Sequence, residues 1–517
     1  MTKNLRVAGR GLALTAIAGV LAGIGAACGA GAQATASTAS ARIPKLASGT
    51  TVSVSSSPLG PKVPDGFLGI SMEYHSLKDY AGGNPARPDQ PFLQLLRNLA
   101  PTGTSVLRVG GDSTDWTWWP VPGMAKPGGA KFDLTPQYST LLKAVAQDVH
   151  AKLLLGINFE ADSKKVAAYE EQQLTSHVGM SQIDAFELGN EPELYSAYSW
   201  YKRNGNSVYG RPRSYTVQSY IKDYANIASA LPKETLAGPD SSSTKWLNLP
   251  EFLSTQPRLS LVTVHTYPLK HCGPGAHPTE ADLFAPSSMQ LLANEVAGWV
   301  QTAAARHLPL RVDEMNSVTC GGYLAVSGSF GPALWALNIL PMYAEAGTVG
   351  VNFHTVPFTW QSLLEPVDKK PVYMTNGDVG VQPEYYGLLA FAKLVPPGSQ
   401  MLKASAPAGD GLFEWADRTP SGQENVVVTN PSSTAGNVNV SVPSQNAPAT
   451  VTMLQANGLS SSTNVTLAGQ SLSAGTGQLV GKLQSTTVKP TGSGHTYELR
   501  LPAASAAILS FGGTASA

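Results

Sequence analysis

Short apolar runs alternate with longer amphipathic stretches from about residue 60 to about residue 395. The runs are Phe67–Met72, Ser105–Val109, Lys152–Ile157, Ala185–Leu188, Thr235–Ala237, Leu261–Val264, Leu310–Asp313 and Val349–Phe353. Between them lie helical patterns such as Pro91–Leu99, Tyr138–Val149, Ser219–Ala230, Ser288–Arg306 and Gly331–Ala346. Strands alternating with helices are the signature of βα units around a parallel sheet. Eight such pairs over residues 60–395 predict a (β/α)8 TIM barrel.

After Leu394-Val395-Pro396-Pro397-Gly398 the pattern changes. Ser, Thr, Val, Asn and Gly dominate, and hydrophobic residues recur at period two in Val438–Val442 and Tyr497–Leu501, with a closing apolar run at Ala506–Phe511. Helical periodicity is absent, so residues 396–517 are expected to form a C-terminal β-sandwich. The stretch 49–58, just before the barrel, alternates like a strand and is expected to join that sandwich. Residues 35–48 read as a flexible spacer.

The N-terminus resembles an export signal over residues 1–34. Lys3, Arg6 and Arg10 precede an uncharged run to Ala27, and Ala32-Gln33-Ala34 offers a small-x-small cleavage site. Secretion or periplasmic export is therefore expected; the alternative is a lipoprotein anchored at Cys28, although Gly25 stands where an aliphatic residue would be required. No other segment has the length and hydropathy of a membrane span. In an oxidising compartment the remaining cysteines, Cys272 and Cys320, are expected to pair, two buried free thiols being the alternative.

Charge narrows the partners. Lys+Arg 35 against Asp+Glu 35 gives no net field to draw nucleic acid or an anionic membrane. A single anionic sugar held by local groups remains compatible with that balance.

Candidate chemistry concentrates at strand ends. Phe186-Glu187-Leu188-Gly189-Asn190-Glu191-Pro192 stops a strand at an amide and a carboxylate, and Leu310-Arg311-Val312-Asp313-Glu314-Met315 does the same further on. By the strand count these are the fourth and seventh barrel strands, whose tips face each other across the mouth where TIM-barrel chemistry sits. Two carboxyl groups about 5–5.5 Å apart are what retaining glycoside hydrolysis needs, one as acid and one as ionised nucleophile. Arg108, ending the second strand, is placed to keep Glu314 charged, and Tyr267, ending the sixth, to aim it. Asn190 can donate to a sugar hydroxyl.

The motifs Leu107-Arg108-Val109-Gly110-Gly111, Glu187-Leu188-Gly189-Asn190-Glu191-Pro192 and Glu314-Met315-Asn316-Ser317-Val318-Thr319-Cys320-Gly321-Gly322 resemble glycoside hydrolase family 79, the β-glucuronidases and heparanases. The resemblance spans the barrel and the C-terminal β domain and is closest to the secreted fungal and bacterial branch. It implies Glu191 as acid/base and Glu314 as nucleophile, acting on terminal β-D-glucuronosides in glucuronate-containing oligo- or polysaccharides or glucuronide conjugates, with no cofactor. One position departs: Thr319 stands where heparanase-like members carry a tyrosine that helps to hold the uronate carboxylate, and Tyr323 lies four residues later.

Further substrate-binding candidates are Glu73 at the first strand tip, Asp112 in the Gly-flanked turn after the second, and His354 at the eighth. His265 and His354 read as hydrogen-bonded walls of the site. Trp116, Trp118 and Trp119 would form either a sugar-stacking platform or a lid packed on the barrel. His265, His271 and Cys272 match no standard zinc spacing, so no metal is expected. The competing functions are a neutral-sugar β-glycosidase such as a β-xylosidase on the same scaffold, and a catalytically silent carbohydrate-binding protein.

Overall fold

Each apolar run becomes a strand of one closed parallel barrel. The computed structural model describes residues 42–231, 235–243, 246–273, 276–357, 364–366, 379–492 and 494–512; the expected signal over 1–34, with Cys28, lies outside the described residues. Strand β1 is Thr50–Lys62, and the barrel is built from β2 (Leu68–Glu73), β3 (Ser105–Gly110), β4 (Ala151–Ile157), β5 (Ile183–Leu188), β6 (Leu236–Ser241), β7 (Leu259–Thr266), β8 (Leu310–Met315) and β9 (Gly350–Thr355). They close in sequence order, β9 pairing β2 and β5 pairing β6.

One principal helix follows each barrel strand: α1 (Gln90–Leu99), α2 (Pro136–Asp148), α3 (Lys164–Val178), α4 (Val217–Ala228), α5 (Leu249–Thr255), α6 (Gln290–Ala304), α7 (Gly331–Ala346) and α8 (Glu384–Leu394). Five of them start at a side-chain cap, with Asp89, Thr135, Ser163, Thr216 and Asn248 accepting from the backbone N–H three residues on. Such caps satisfy otherwise orphaned donors and fix where each loop turns into helix. Helix α7 is apolar on nearly every side because it lies between two domains, not between barrel and solvent. Its Asn338 Nδ2 donates to Thr429 Oγ1 across that junction at 3.1 Å.

The C-terminal strands are β10 (Gln400–Ser405), β11 (Phe413–Arg418), β12 (Glu424–Asn430), β13 (Gly436–Ser441), β14 (Ala449–Gln455), β15 (Thr466–Leu467), β16 (Thr486–Val488), β17 (Thr496–Leu501) and β18 (Ser505–Phe511). They run in the order β15-β14-β18-β12-β11-β10-β1-β13-β17, with β16 on β14. Val52, Leu402, Val426, Val440, Val451, Leu499 and Leu509 belong to one buried cluster although their strands span that whole order. The sheet therefore folds over onto itself and encloses a core, which makes it a sandwich. Strand β1 sits inside it, antiparallel to β10 and parallel to β13.

Lateral register matters most for the site. Ser71 pairs with Arg108, His354 with Ser71, and His265 with Glu314. These polar residues thus share one level around the mouth of the barrel, above the apolar layers formed by residues such as Leu107, Leu153, Phe186 and Val262.

Candidate active site

A charged residue inside an apolar strand needs a partner, because removing an ion from water is costly unless it is paired and hydrogen-bonded. Arg108 in β3 is fully buried and finds three such partners. Its Nε lies 2.8 Å from Glu187 Oε2 and 3.0 Å from Asp313 Oδ2, and its Nη1 donates to Glu314 Oε2 at 2.6 Å. Its Nη2 donates to Asn190 Oδ1 at 3.0 Å. One guanidinium thereby ties the ends of β5 and β8 to β3.

Glu314 is aimed from several sides. Tyr267 donates to its Oε1 at 2.8 Å, and His354 Nδ1 lies 3.7 Å from its Oε2 while hydrogen-bonding Ser71 at 2.9 Å. Burial alone would raise the Glu314 pKa, but the positive charges of His354, His265 and Arg108 and the Tyr267 hydrogen bond outweigh it and hold the carboxyl well below its usual range. Glu314 is an ionised carboxylate at any ordinary pH.

Glu191 is placed by its backbone. It adopts the left-handed conformation at φ 46°, ψ 61°, uncommon for a residue with a side chain. Its N–H donates to Asp240 O at 2.8 Å. The preceding Gly189 has φ +86°, and a Cβ there would collide with the Tyr195 hydroxyl and Phe159, so only glycine lets the chain turn at this point. Asp115, buried after β3, accepts from the N–H groups of Phe159 and Glu160 at 2.8 Å, from Tyr195 Oη at 2.7 Å and from Asn190 N at 3.2 Å. The Glu191 side chain meets His265 Nδ1 at 3.1 Å, and His265 Nε2 lies 3.4 Å from Asp313 Oδ2. Burial lowers the His265 pKa, yet the Glu314 and Asp313 charges and the hydrogen bonds to Asp313 and Glu191 carry it well above the usual imidazole range. These neighbours favour the positively charged form of His265, which stands beside both glutamates.

Donor atoms of Glu191, His265 and Glu314 lie within 4.8 Å of one another, as do those of Asp240, His265 and Asp313. Both sets have the reach to hold a metal ion. The Arg108 guanidinium and the His265 imidazolium already supply positive charge among these carboxylates, which leaves little to draw another cation.

The other expected residues fall in different places. Glu73 is nearly buried and accepts from the backbone N–H groups of Asp112 at 3.2 Å and Ser113 at 2.7 Å, and from the Ser113 hydroxyl. It anchors the turn that carries Asp112, and His354 Nε2 stands 3.6 Å from it. Asp112 opens onto the mouth at 3.4 Å from Asn190 Nδ2. Protein surrounds it at longer range, and that burial, with the Glu73, Glu191 and Glu314 charges, pushes its pKa up to about 8. Tyr323 is held elsewhere, stacked on the His271 ring at 4.3 Å rather than on the carboxylate pair. The Cys272–Cys320 disulfide joins the loops after β7 and β8 beside it.

Of the three tryptophans, Trp118 and Trp119 are buried, the first with Val166 and the second against His177, both on α3. They pack as a lid. Trp116 has Lys131 Nζ 4.0 Å over its ring and the His75 ring stacked 6.4 Å away, so it is not an open platform either.

Sequence reasoning passed over Glu187, Asp313, Asp240 and Asp115. The signal existed for the first two: an acid flanked by Phe186 and Leu188, or by Val312, faces the barrel interior and demands the arginine that interrupts Leu107 and Val109.

A family model described as the glycosyl hydrolase family 79 C-terminal beta domain matches residues 417–508. A β-glucuronidase of Neurospora crassa is 23% identical over 405 residues, covering 69% of this chain and 68% of that protein. A β-glucuronidase of Aspergillus niger is 24% identical over 388 residues, covering 66% of each. Among solved structures, a 4-O-α-L-rhamnosyl-β-D-glucuronidase from Fusarium oxysporum 12S superposes with a TM-score of 0.70 at 18% identity, over 89% of this chain and 100% of that one. A GH51 arabinofuranosidase from Xanthomonas axonopodis pv. citri superposes with a TM-score of 0.62 at 14% identity, over 90% and 100% of the two chains. At these identities the structural likeness speaks to the fold.

Proposed function

We propose that this chain, a glycoside hydrolase whose C-terminal β domain matches the family 79 model and whose relatives include β-glucuronidases, is a retaining exo-β-glucuronidase releasing terminal β-D-glucuronosyl groups. The observation that carries the reading is the pairing of an ionised, immobilised Glu314 with Glu191 inside 4.8 Å. That spacing suits direct attack by a carboxylate and leaves no room for an interposed water, which an inverting pair at about 6.5–9.5 Å would require.

In the first step Glu314 attacks the anomeric carbon while Glu191 gives its proton to the departing glycosidic oxygen, leaving a covalent glycosyl-enzyme. The His265 imidazolium stabilises the carboxylate that Glu191 becomes. In the second step Glu191 takes a proton from water, the resulting hydroxide equivalent attacks the anomeric carbon, and Glu314 departs. Asn190 spends its Oδ1 on Arg108 and keeps donor capacity on Nδ2 for a sugar hydroxyl, where a hydrogen bond that strengthens in the transition state accelerates the reaction. Asp112 lies beside Asn190 at the same mouth, with Glu73 beneath it.

Glucuronate as the sugar is supported by the two β-glucuronidase relatives. A neutral-sugar reading has one observation in its favour, the Thr319 departure with Tyr323 turned to His271. An aryl glycoside panel separates them: hydrolysis of the glucuronide with little of the xyloside is expected, and the reverse would sink the uronate claim. Proton NMR of the first-formed sugar tests retention, with β-glucuronic acid expected, and end-labelled oligosaccharides releasing only monosaccharide would establish the exo mode. Secretion belongs to the same proposal and is supported by the disulfide. Among the described residues no helix is long and apolar enough to cross a membrane.

A further inference from the structure

The mouth of the barrel is acidic, which is an awkward place for an anionic sugar. Glu73, Asp112, Glu191 and Glu314 all open toward it or line it. The cations at its floor are already engaged: Arg108 is completely buried on Glu187, Asp313 and Glu314, His265 is on Glu191 and Asp313, and His354 is on Ser71 with Glu73 and Glu314 nearby. A glucuronate carboxylate entering this space meets repulsion unless an uncommitted positive group stands at the rim.

Lys131 is such a group. It lies on the loop that returns from Val121 to the short ribbon pairing Thr117–Trp118 with Phe132–Asp133. Its backbone N–H donates to Trp116 O at 2.7 Å. Its ammonium sits 4.0 Å over the Trp116 ring. Trp116 ends the same helical turn, Gly111–Trp116, that carries Asp112. The loop below is held firmly, because Gly128 and Gly129 lie flush against the Tyr201 and Trp200 rings and a Cβ at either would overlap them. Trp200 is itself pinned by its Nε1 donating to Asp115 O at 2.9 Å. The ammonium makes no ion pair with any described carboxylate; Asp112 and Glu160 act on it only at longer range, while partial burial pulls its pKa down. A fixed, solvent-facing, unpaired cation at the edge of a substrate cleft is poised for an anionic ligand.

We propose that Lys131, held on the Trp116 face at the rim beyond Asp112, binds the carboxylate of an acidic sugar and so sets the preference for anionic substrates. The proposal rests on the glucuronidase reading. That carboxylate has two sources, the glucuronate being cleaved or a uronate one unit away in the same chain. In neither case does Lys131 touch the reacting bond, so its effect falls on binding.

The test compares wild type with Lys131→Gln and Lys131→Arg on three substrates: an aryl β-glucuronide, its neutral methyl ester, and an oligosaccharide with two adjacent uronates. Lys131→Gln is expected to lower the kcat/KM preference for an acidic substrate over the ester by about tenfold through KM, the usual worth of one charged hydrogen bond. Lys131→Arg keeps most of the preference, and added salt erodes it in wild type but not in Lys131→Gln. Loss on the simple glucuronide identifies the reacting sugar's own carboxylate; loss confined to the oligosaccharide identifies its neighbour. Acid and ester changing in parallel, or no change on any substrate, overturns the role of Lys131. A wild type that cleaves only neutral aryl glycosides would instead remove the glucuronidase reading on which the role depends.

Discussion

The two strand ends that carry the glutamates solve the same placement problem by opposite means. Glu314 lies within β8 and is fixed by three side chains from other parts of the barrel, Arg108 of β3, Tyr267 just past β7 and His354 of β9. Glu191 lies three residues beyond β5 and is fixed by main chain: a left-handed φ, a glycine that cannot be replaced without collision, and N–H groups anchored on Asp240 and Asp115. Side-chain fixation sets charge as well as position, since each partner of Glu314 favours its ionised form. Main-chain fixation sets direction, and His265 meets the Glu191 carboxyl at 3.1 Å.

Glu314→Ala should have the largest effect. Turnover of an aryl glucuronide should fall by about 10⁴-fold or more, and azide should restore it with an α-linked azide product seen by NMR. Unchanged rates would remove the mechanism. Glu191→Ala should cost about 10²–10⁴-fold on substrates with poor leaving groups but far less on dinitrophenyl leaving groups, which need no protonation. Equal losses on both kinds of substrate would contradict an acid role for Glu191. Arg108→Ala strips charge compensation from Glu187, Asp313 and Glu314 together and should destabilise the protein by about 3–5 kcal/mol in urea unfolding. A loss under about 1 kcal/mol would mean the cluster adapts by protonation.

The gentlest probe is pH. Glu314 has its folded pKa below the unfolded value of about 4.3, so its stabilisation is present above that pH and is lost as pH falls toward the folded pKa. Glu193, two residues past Glu191, behaves oppositely: burial first, then the Glu191 charge, raises it to about 7. Its contribution is present below about pH 4.3 and is lost as pH rises through about 7. Melting temperature should therefore decline between pH 5 and 8, and Glu193→Gln should flatten part of that slope. An unaltered slope in the variant would assign the decline to other buried acids such as Glu187, also raised to about 7 by burial.

The barrel was legible because each strand is a compact apolar run, and the eight runs read from the sequence begin within a few residues of the observed strands. The glutamates were legible because Asn190-Glu191-Pro192 and Asp313-Glu314 interrupt such runs at their C-terminal ends. What pattern could not supply was the layer beneath. Asp115 sits in a helical turn and Asp240 follows Gly238-Pro239 near the end of β6, places where an acid usually means a solvated loop or strand end. Only closure of the barrel brings them under the site and buries them. The tryptophans misled for the same reason: Trp118 and Trp119 are one residue apart in a segment whose partners, Val166 and His177, lie on a helix formed much later in the chain.

Strand β1 has a consequence for how the chain is made. Gln400, entering β10, bonds through its side chain to Leu59 O across 341 positions, and β1 has partners on both edges in the finished sheet. During synthesis at about 5–20 residues per second, β1 leaves the ribosome roughly 20–70 s before its first partner exists. For that interval it is a strand with two open edges, the kind of segment that recruits wrong partners. Ser55, Ser56 and Ser57 followed by Pro58 and Pro61 make it a poor template while it waits. The order of translation thus places the assembly of the C-terminal domain at the end, when a strand from the chain's beginning is finally enclosed by strands made last.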